Sequence, residues 1–373
     1  MSTDSSVVMQ SVSSPTEDMV FELLACADGR YVGVARLNRP GQLNALNLAM
    51  CQAMLDQFRA WASDESIACV MLLGNGRAFC AGGDVAEVIR HVRAGGPQRF
   101  VYGDAFFDVE YQLDLLIHLY PKPFITWAHG VDMGGGVGLS VAGSERIVSE
   151  GLKLAMPEIH IGLFPDVGGG WFLNRVPAEA GLLLAMTGAI VNEADALYAR
   201  LADHCVAQAR QPAFMQGLAG LDWSGSVAAQ RARLRAFCMA FAAHTPVTMP
   251  ESGLRAHHDL IRSICMRPDA QGVLAGLKAA AAAQPWFAKP YENLAAGSPT
   301  AASVTYEYMR RCRPLGIADV LALDLVVAKQ CQRHPDFPEG VRALLIDKSR
   351  DAKWSPGGFE GVSAALVEGF FSF

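Results

Sequence analysis

Residues 124–170 read FITWAHGVDMGGGVGLSVAGSERIVSEGLKLAMPEIHIGLFPDVGGG. An apolar, β-rich run at 124–128 leads to a glycine triplet, Gly134-Gly135-Gly136, that opens a second apolar run at 137–142. The second run is too short and too apolar for an exposed loop and predicts a buried helix. Short strands follow at 146–149 and 153–156, and the segment closes on a glycine-rich stretch that carries Glu158 and Asp166. Strand, glycine turn and helix in this order are the pattern of an α/β layer.

Toward the N-terminus the alternation continues. Runs at 20–25 and 31–37 flank Asp28-Gly29, a turn dipeptide, and predict a hairpin. Cys51, Met54, Leu55, Phe58 and Trp61 recur at helical spacing, which places one apolar face on a helix over 47–63. A buried strand is predicted at 68–73, then a glycine-bearing loop at 74–83, a helix starting near Asp84, and a helix over 100–120 that Pro121 and Pro123 end. Beyond Gly188 the β-rich runs give way to Ala-, Leu- and Arg-rich helical pattern, with loops expected at 217–225 and 284–297. The organisation expected is a loose polar tail at 1–19, a core at 20–206 and a helical C-terminal region at 207–373.

A chain of 373 residues that is 51% hydrophobic can bury a large core. Its formal charge of -6 includes no block of Lys or Arg, so nothing favours a nucleic-acid backbone or an anionic membrane surface. Nine cysteines are scattered without a Cys-x-x-Cys pair, which predicts reduced thiols and no zinc cluster. Met1 to Glu17 contain neither Lys nor Arg, and no run reaches the roughly 18 apolar residues of a membrane span. A cytoplasmic protein is expected.

Three segments join glycine to ionisable residues: GRAFCAGGD at 76–84, HGVDMGGGVG at 129–138 and MPEIHIGLFPDVGGG at 156–170. Glycine lets the backbone approach a ligand, and an amide in the first turn of a helix points outward with partial positive charge. Two such loops can aim two N–H groups at one oxygen. None of the three matches the dinucleotide or phosphate-loop fingerprints. His129 and His160 have no neighbour at metal-ligand spacing and read as packing histidines. Ser140 lies in no G-x-S-x-G elbow, and Cys80 has no paired base.

The segments LNRPGQLNALN at 37–47, RAFCAGGDV at 77–85, MGGGVGLSV at 133–141 and AMPEIHIGLFPDVGGG at 155–170, with SPT at 298–300 and DFPEGVRALLIDK at 336–348, resemble the crotonase (enoyl-CoA hydratase/isomerase) superfamily. Within it they resemble the 3-hydroxyisobutyryl-CoA hydrolases. The resemblance implies a crotonase-like spiral of ββα repeats with a helical C-terminal region. It also implies an oxyanion hole made by the N–H groups of Gly83 and Gly135. Hydratases of this superfamily use two glutamates, and the position of one is Gly138 here. The other is kept as Glu158, and Asp166 stands where hydratases usually carry glycine, which marks the hydrolase branch.

The implied reaction is hydrolysis of a short 3-hydroxyacyl-CoA, with Glu158 attacking or activating water and Asp166 orienting water or the substrate hydroxyl. Glu110, in FFDVEYQL at 106–113, and Ala81, Gly82 and Asp84 are implied substrate contacts, and Arg39 is a candidate for the nucleotide. Neither cofactor nor metal is implied, since coenzyme A is part of the substrate. Two rivals stand beside this reading. Asp166 argues against an enoyl-CoA isomerase, and retention of both acids argues against a non-catalytic acyl-CoA-binding protein. Asp132 departs from the small or apolar residue expected before Met133. It is left to pair with a base, line the acyl pocket or face solvent. A homo-oligomer is left open.

Overall fold

The computed structural model describes residues 9–372. Ten strands and the first four α-helices frame the site. In chain order they are β1 (Met9–Val12), β2 (Met19–Ala25), β3 (Tyr31–Leu37), α1 (Leu48–Ser63), β4 (Ile67–Gly74), β5 (Ala78–Cys80), α2 (Val85–Ala94), α3 (Val101–His118), β6 (Phe124–Ala128), β7 (Val131–Met133), α4 (Gly135–Ala142), β8 (Glu145–Val148), β9 (Lys153–Ala155) and β10 (His204–Cys205). The large sheet runs β1-β2-β3-β4-β6-β8-β10 and the small one β5-β7-β9. From β4 onward, successive strands alternate between the two sheets: β4, β6 and β8 enter the large sheet in parallel, and β5, β7 and β9 the small one. The fold is therefore the α/β spiral expected, followed by helices.

The hairpin at 20–25 and 31–37 is present as β2 and β3, antiparallel from Met19↔Leu37 to Ala25↔Tyr31. All eight residues of β4 are buried because the sheet is covered on both faces. Val70 and Leu72 face one core with Met54, Phe58 and Trp61 of α1. Met71 and Leu73 face a second with Trp127, Phe214 and Trp223, partly from helix Gln211–Ala219. Period-2 alternation thus sorts a continuous apolar strand between two cores.

Four expectations are corrected. Met9–Val12 is a strand and not part of a loose tail, pairing with β2 from Met9↔Leu24 to Val12↔Phe21; positions 1–8 of that tail lie outside the described residues. An edge strand held by backbone bonds need show no apolar pattern. One strand, β10, lies beyond Gly188 and extends the sheet beside β8. The stretch 284–297 is no loop: Pro285–Phe287 is a 3-10 turn and Ala288–Ala296 a helix. Its two prolines, Pro285 and Pro290, each sit in a first turn, where no intrahelical N–H bond is lost. Within the glycine segments, β5 and β7 are short strands, and so the loops after them are aimed by a sheet.

In the C-terminal region, helix Ile317–Arg333 packs along α3 so closely that a Cβ at Gly103 would stand 2.0 Å from the Gln332 amide oxygen. No helix among the described residues is long and apolar enough to cross a membrane.

Candidate active site

The ends of β5, β7 and β9 deliver three loops to one place. The first is gripped by residues 43–46: Ala81 N–H donates to Leu43 O at 2.9 Å, Leu46 N–H to Gly82 O at 2.9 Å and Asp84 N–H to Leu46 O at 2.7 Å. Asn44, fully buried with φ 58°, anchors that grip. Its amide donates to the carbonyls of Asn75 and Ala78 at 2.9 Å and of Phe79 at 3.1 Å. These bonds leave the Gly83 N–H without a protein acceptor. Gly135 is the first residue of α4, and its N–H has no acceptor within that helix.

The two amides converge. A Cβ built on Gly135 would lie 3.4 Å from Gly83 N, so the two nitrogens stand within about 6 Å of each other and one oxygen can accept from both. The acids surround that point. The same Cβ would lie 2.3 Å from Glu110 Oε1, and one on Gly134, at φ 53°, would lie 2.9 Å from Glu158 Oε1.

Glu158 opens the 3-10 turn Glu158–Ile161 that follows β9 and is 4% exposed. Its Oε2 has no partner, and burial, with Asp166 and Glu110 nearby, holds its carboxyl well above the usual range. Asp166, also buried, accepts from the Tyr111 hydroxyl at 2.6 Å. Burial raises it to about 6 against the lowering effect of that bond. Val167, next to it, is a buried β-branched residue at φ 50°, a strained conformation that fixes the direction of its neighbours. Gly168 N–H then donates to Asp324 at 2.8 Å, and Gly170 N–H to the Tyr308 hydroxyl at 2.9 Å, so helices of the C-terminal region tie down this loop.

The structure thus brings Gly83, Gly135, Glu110, Glu158 and Asp166 together. Asp84 is turned elsewhere: Arg39 bonds it at 3.4 Å, and Arg39 also donates to Ala45 O at 2.7 Å, which occupies the cation proposed for the nucleotide. Asp132 neither pairs with a base nor faces solvent. It is fully buried, raised to about 7 by burial, and accepts from Ser140 Oγ at 2.6 Å across the turn between β7 and α4. His129 bonds Gly76 O at 2.9 Å, and Cys80 is buried with its thiol pushed up.

Sequence reasoning missed Tyr111, Asp114, Asp324 and Tyr308. Tyr111 and Asp114 follow Glu110 on α3, and only the packing of helix 317–333 shows that this face is buried. Among the described residues one group with metal-ligand chemistry, Glu145, His204 and Cys238, falls within 4.8 Å, but His204 and Arg235 already hold both Glu145 oxygens.

A cavity of 780 Å³ is lined by Met133, Ala155 and Pro157, chain neighbours of Gly134 and Glu158, and by Trp286, Lys289, Glu292, Arg350 and Trp354. Apolar side chains line it beside Lys289, Arg350 and Glu292, and the two cations suit an acyl thioester carrying phosphates.

Comparison with known proteins identifies the family. A 3-hydroxyisobutyryl-CoA hydrolase of Xenopus tropicalis, named as mitochondrial, is 35% identical over 342 residues, 91% of this chain and 86% of that protein. 3-Hydroxyisobutyryl-CoA hydrolase 1 of Arabidopsis thaliana is 34% identical over 91% of this chain and 89% of its own. The crystal structure of a carnitinyl-CoA dehydratase from Mycobacterium thermoresistibile superposes with a TM-score of 0.82 at 32% identity, covering 96% of this chain and 97% of that one. Residues 32–371 match the enoyl-CoA hydratase/isomerase family, and the chain belongs to it.

Proposed function

We propose that the protein hydrolyses short-chain 3-hydroxyacyl-CoA thioesters, 3-hydroxyisobutyryl-CoA first among them, to the free acid and coenzyme A. The observation that carries this reading is the meeting of two free backbone donors beside a buried, unpartnered Glu158, with no room for a second glutamate at position 138. There a Cβ would lie 2.6 Å from Val167 Cβ. The relatives from Xenopus and Arabidopsis are named for this hydrolysis.

In the reaction the thioester oxygen accepts from Gly83 and Gly135 N–H, each donor contributing about 3 kcal/mol as charge develops. Glu158 either removes a proton from water as it adds to the carbonyl carbon or adds itself to form an anhydride. The C–S bond then breaks, and a thiolate of pKa about 8.5 leaves without a strong acid. Asp166, fixed by Tyr111, orients the water or the 3-hydroxyl group. Single-turnover hydrolysis in oxygen-18 water tests the covalent route: label entering Glu158 marks an anhydride attacked at the enzyme carbonyl, and label only in the product weakens that route.

The defining test follows free thiol from a panel of acyl-CoAs. Release from 3-hydroxyisobutyryl-CoA or 3-hydroxypropionyl-CoA is expected. Rearrangement of an enoyl-CoA without thiol would assign an isomerase instead, and binding without turnover a non-catalytic protein. A cytoplasmic placement belongs to the same proposal, supported by nine free cysteines that suit a reducing compartment and tested by cell fractionation.

A further inference from the structure

α3 carries ionisable groups that the reaction above leaves unused. Glu110, Asp114 and His118 stand four residues apart and line one face of the helix, about 6 Å per step along its axis. The row follows α4. Glu110 Oε1 lies against Gly135, and Asp114 Oδ1 lies 3.3 Å from where a Cβ on Gly138 would stand, one turn further on. Both Asp114 oxygens, Glu110 Oε1 and His118 Nε2 are shielded from solvent and have no protein partner. The His118 ring packs edge-on to Trp171 at 5.3 Å between centroids. Its outer side lines a cleft of 300 Å³ shared with Lys122 and Arg146. One end of the row is therefore the oxyanion hole, and the other is a second opening to solvent.

A buried carboxyl with no donor either carries its own proton or accepts from internal water. Three such oxygens, followed by the unpartnered His118 Nε2, describe a path. We propose that Glu110, Asp114 and His118 conduct the surplus proton of thioester hydrolysis from the active site to the Lys122–Arg146 cleft, through internal water between the side chains. The proposal rests on the hydrolase reading. Water adds OH to the carbonyl carbon, the C–S bond breaks, and the sulfur takes the other water proton by way of Glu158. The new carboxylic acid then ionises at neutral pH and releases one proton among Glu158, Asp166 and Glu110. The 780 Å³ cavity is where this reading puts product coenzyme A, which leaves the row along α3 as the other exit.

The surroundings suit the role. Asp114 faces Glu110 on its own helix, Asp166 on the glycine-rich loop and Asp324 on helix 317–333, with the Cys51 thiol on α1 nearby. Burial and these acids hold it well above the ordinary carboxylate range, which favours its protonated form. His118 faces Arg146 on β8 and Arg175; burial and these two guanidiniums push it down to about 4. Its ring is neutral at pH 7 and can accept on one nitrogen while the other donates.

The test compares full-length wild type with Asp114→Asn and His118→Phe in weak buffer, following thiol and proton release from 3-hydroxyisobutyryl-CoA. A fall in kcat of at least about tenfold is expected in each variant with KM changed less than about twofold, together with a larger solvent deuterium isotope effect. Added imidazole, a mobile proton carrier, should restore kcat. A merely structural role would not respond to the carrier. Wild-type kcat in both variants, or a loss that imidazole relieves in neither, overturns the path. His118→Phe keeps a ring against Trp171 at the rim and covers the case in which Asp114→Asn does not fold. Absence of thiol release from wild type would reject the hydrolase reading itself.

Discussion

Glu110, Asp114, Glu158, Asp166 and Asp324 place five carboxyls in one buried cluster, none more than 5% exposed. Like charges at such separations do not all ionise at neutral pH, and the protons they keep belong to the cluster as a whole. Glu158 and Asp166 were legible in the sequence because long motifs flank them. Asp114 and Asp324 were not, since a carboxylate on an amphipathic helix looks like its wet face; Asp108, also on α3, does face solvent and bonds Gln112 there. Two predictions belong here. Glu158→Gln keeps the size and loses the base, so kcat should fall roughly 10²–10⁴-fold while calorimetry still detects acyl-CoA binding. Near-wild-type turnover would remove Glu158 from the reaction. The second concerns pH. Asp166 titrates near 6 in the fold and near 4 unfolded, so the folded state binds more protons and loses stability as pH rises between those values. Activity should rise over the same range as the acids ionise. Asp166→Asn should flatten the stability slope and add on the order of 1–3 kcal/mol at pH 7 in urea titrations, at the expense of turnover. A variant with the wild-type slope would show that Asp166 does not titrate there.

At the scale of elements, the site depends on helix and strand ends that alternate too briefly to be read. β5 and β7 have three residues each, fewer than period-2 alternation needs to stand out, and so their segments look like loops. Longer elements such as α1 and β4 carry clear patterns and were found. The choice between hydratase and hydrolase is likewise an element property. Gly138 on α4 packs against Val167, which is already held at a strained φ of 50°. Gly138→Ala should therefore push Val167, and Asp166 with it, at a cost of about 1–3 kcal/mol from overpacking and with a fall in kcat. Urea denaturation and steady-state kinetics check both. A variant as stable and active as wild type would mean that residues 166–168 shift freely, against the role given to their strain.

In the whole molecule, the C-terminal helices do two jobs that their composition does not announce. Asp324 and Tyr308 secure the 166–170 loop from behind, while Trp286 and Lys289, with Arg350 and Trp354 further along the chain, form the outer wall of the cavity in front. The four come together only after the chain folds back, with Trp354 Nε1 donating to Ala296 O at 2.9 Å, and no spacing in the sequence marks them as neighbours. Lys289 pairs loosely with Glu292 at 3.4 Å on the surface, a contact of small energy, so its charge is available to a phosphate. Reversing both cations, Lys289→Glu with Arg350→Glu, should raise KM for acyl-CoA about tenfold at low salt, with kcat nearly unchanged because the change lies away from the reacting carbonyl. The difference should shrink as salt screens exposed charge. It should vanish for the matching N-acetylcysteamine thioester, which carries the acyl group and sulfur but no phosphates. A KM for acyl-CoA that does not move would place the nucleotide at another opening, and equal losses on both substrates would mean that the wall shapes the acyl site instead of holding the nucleotide.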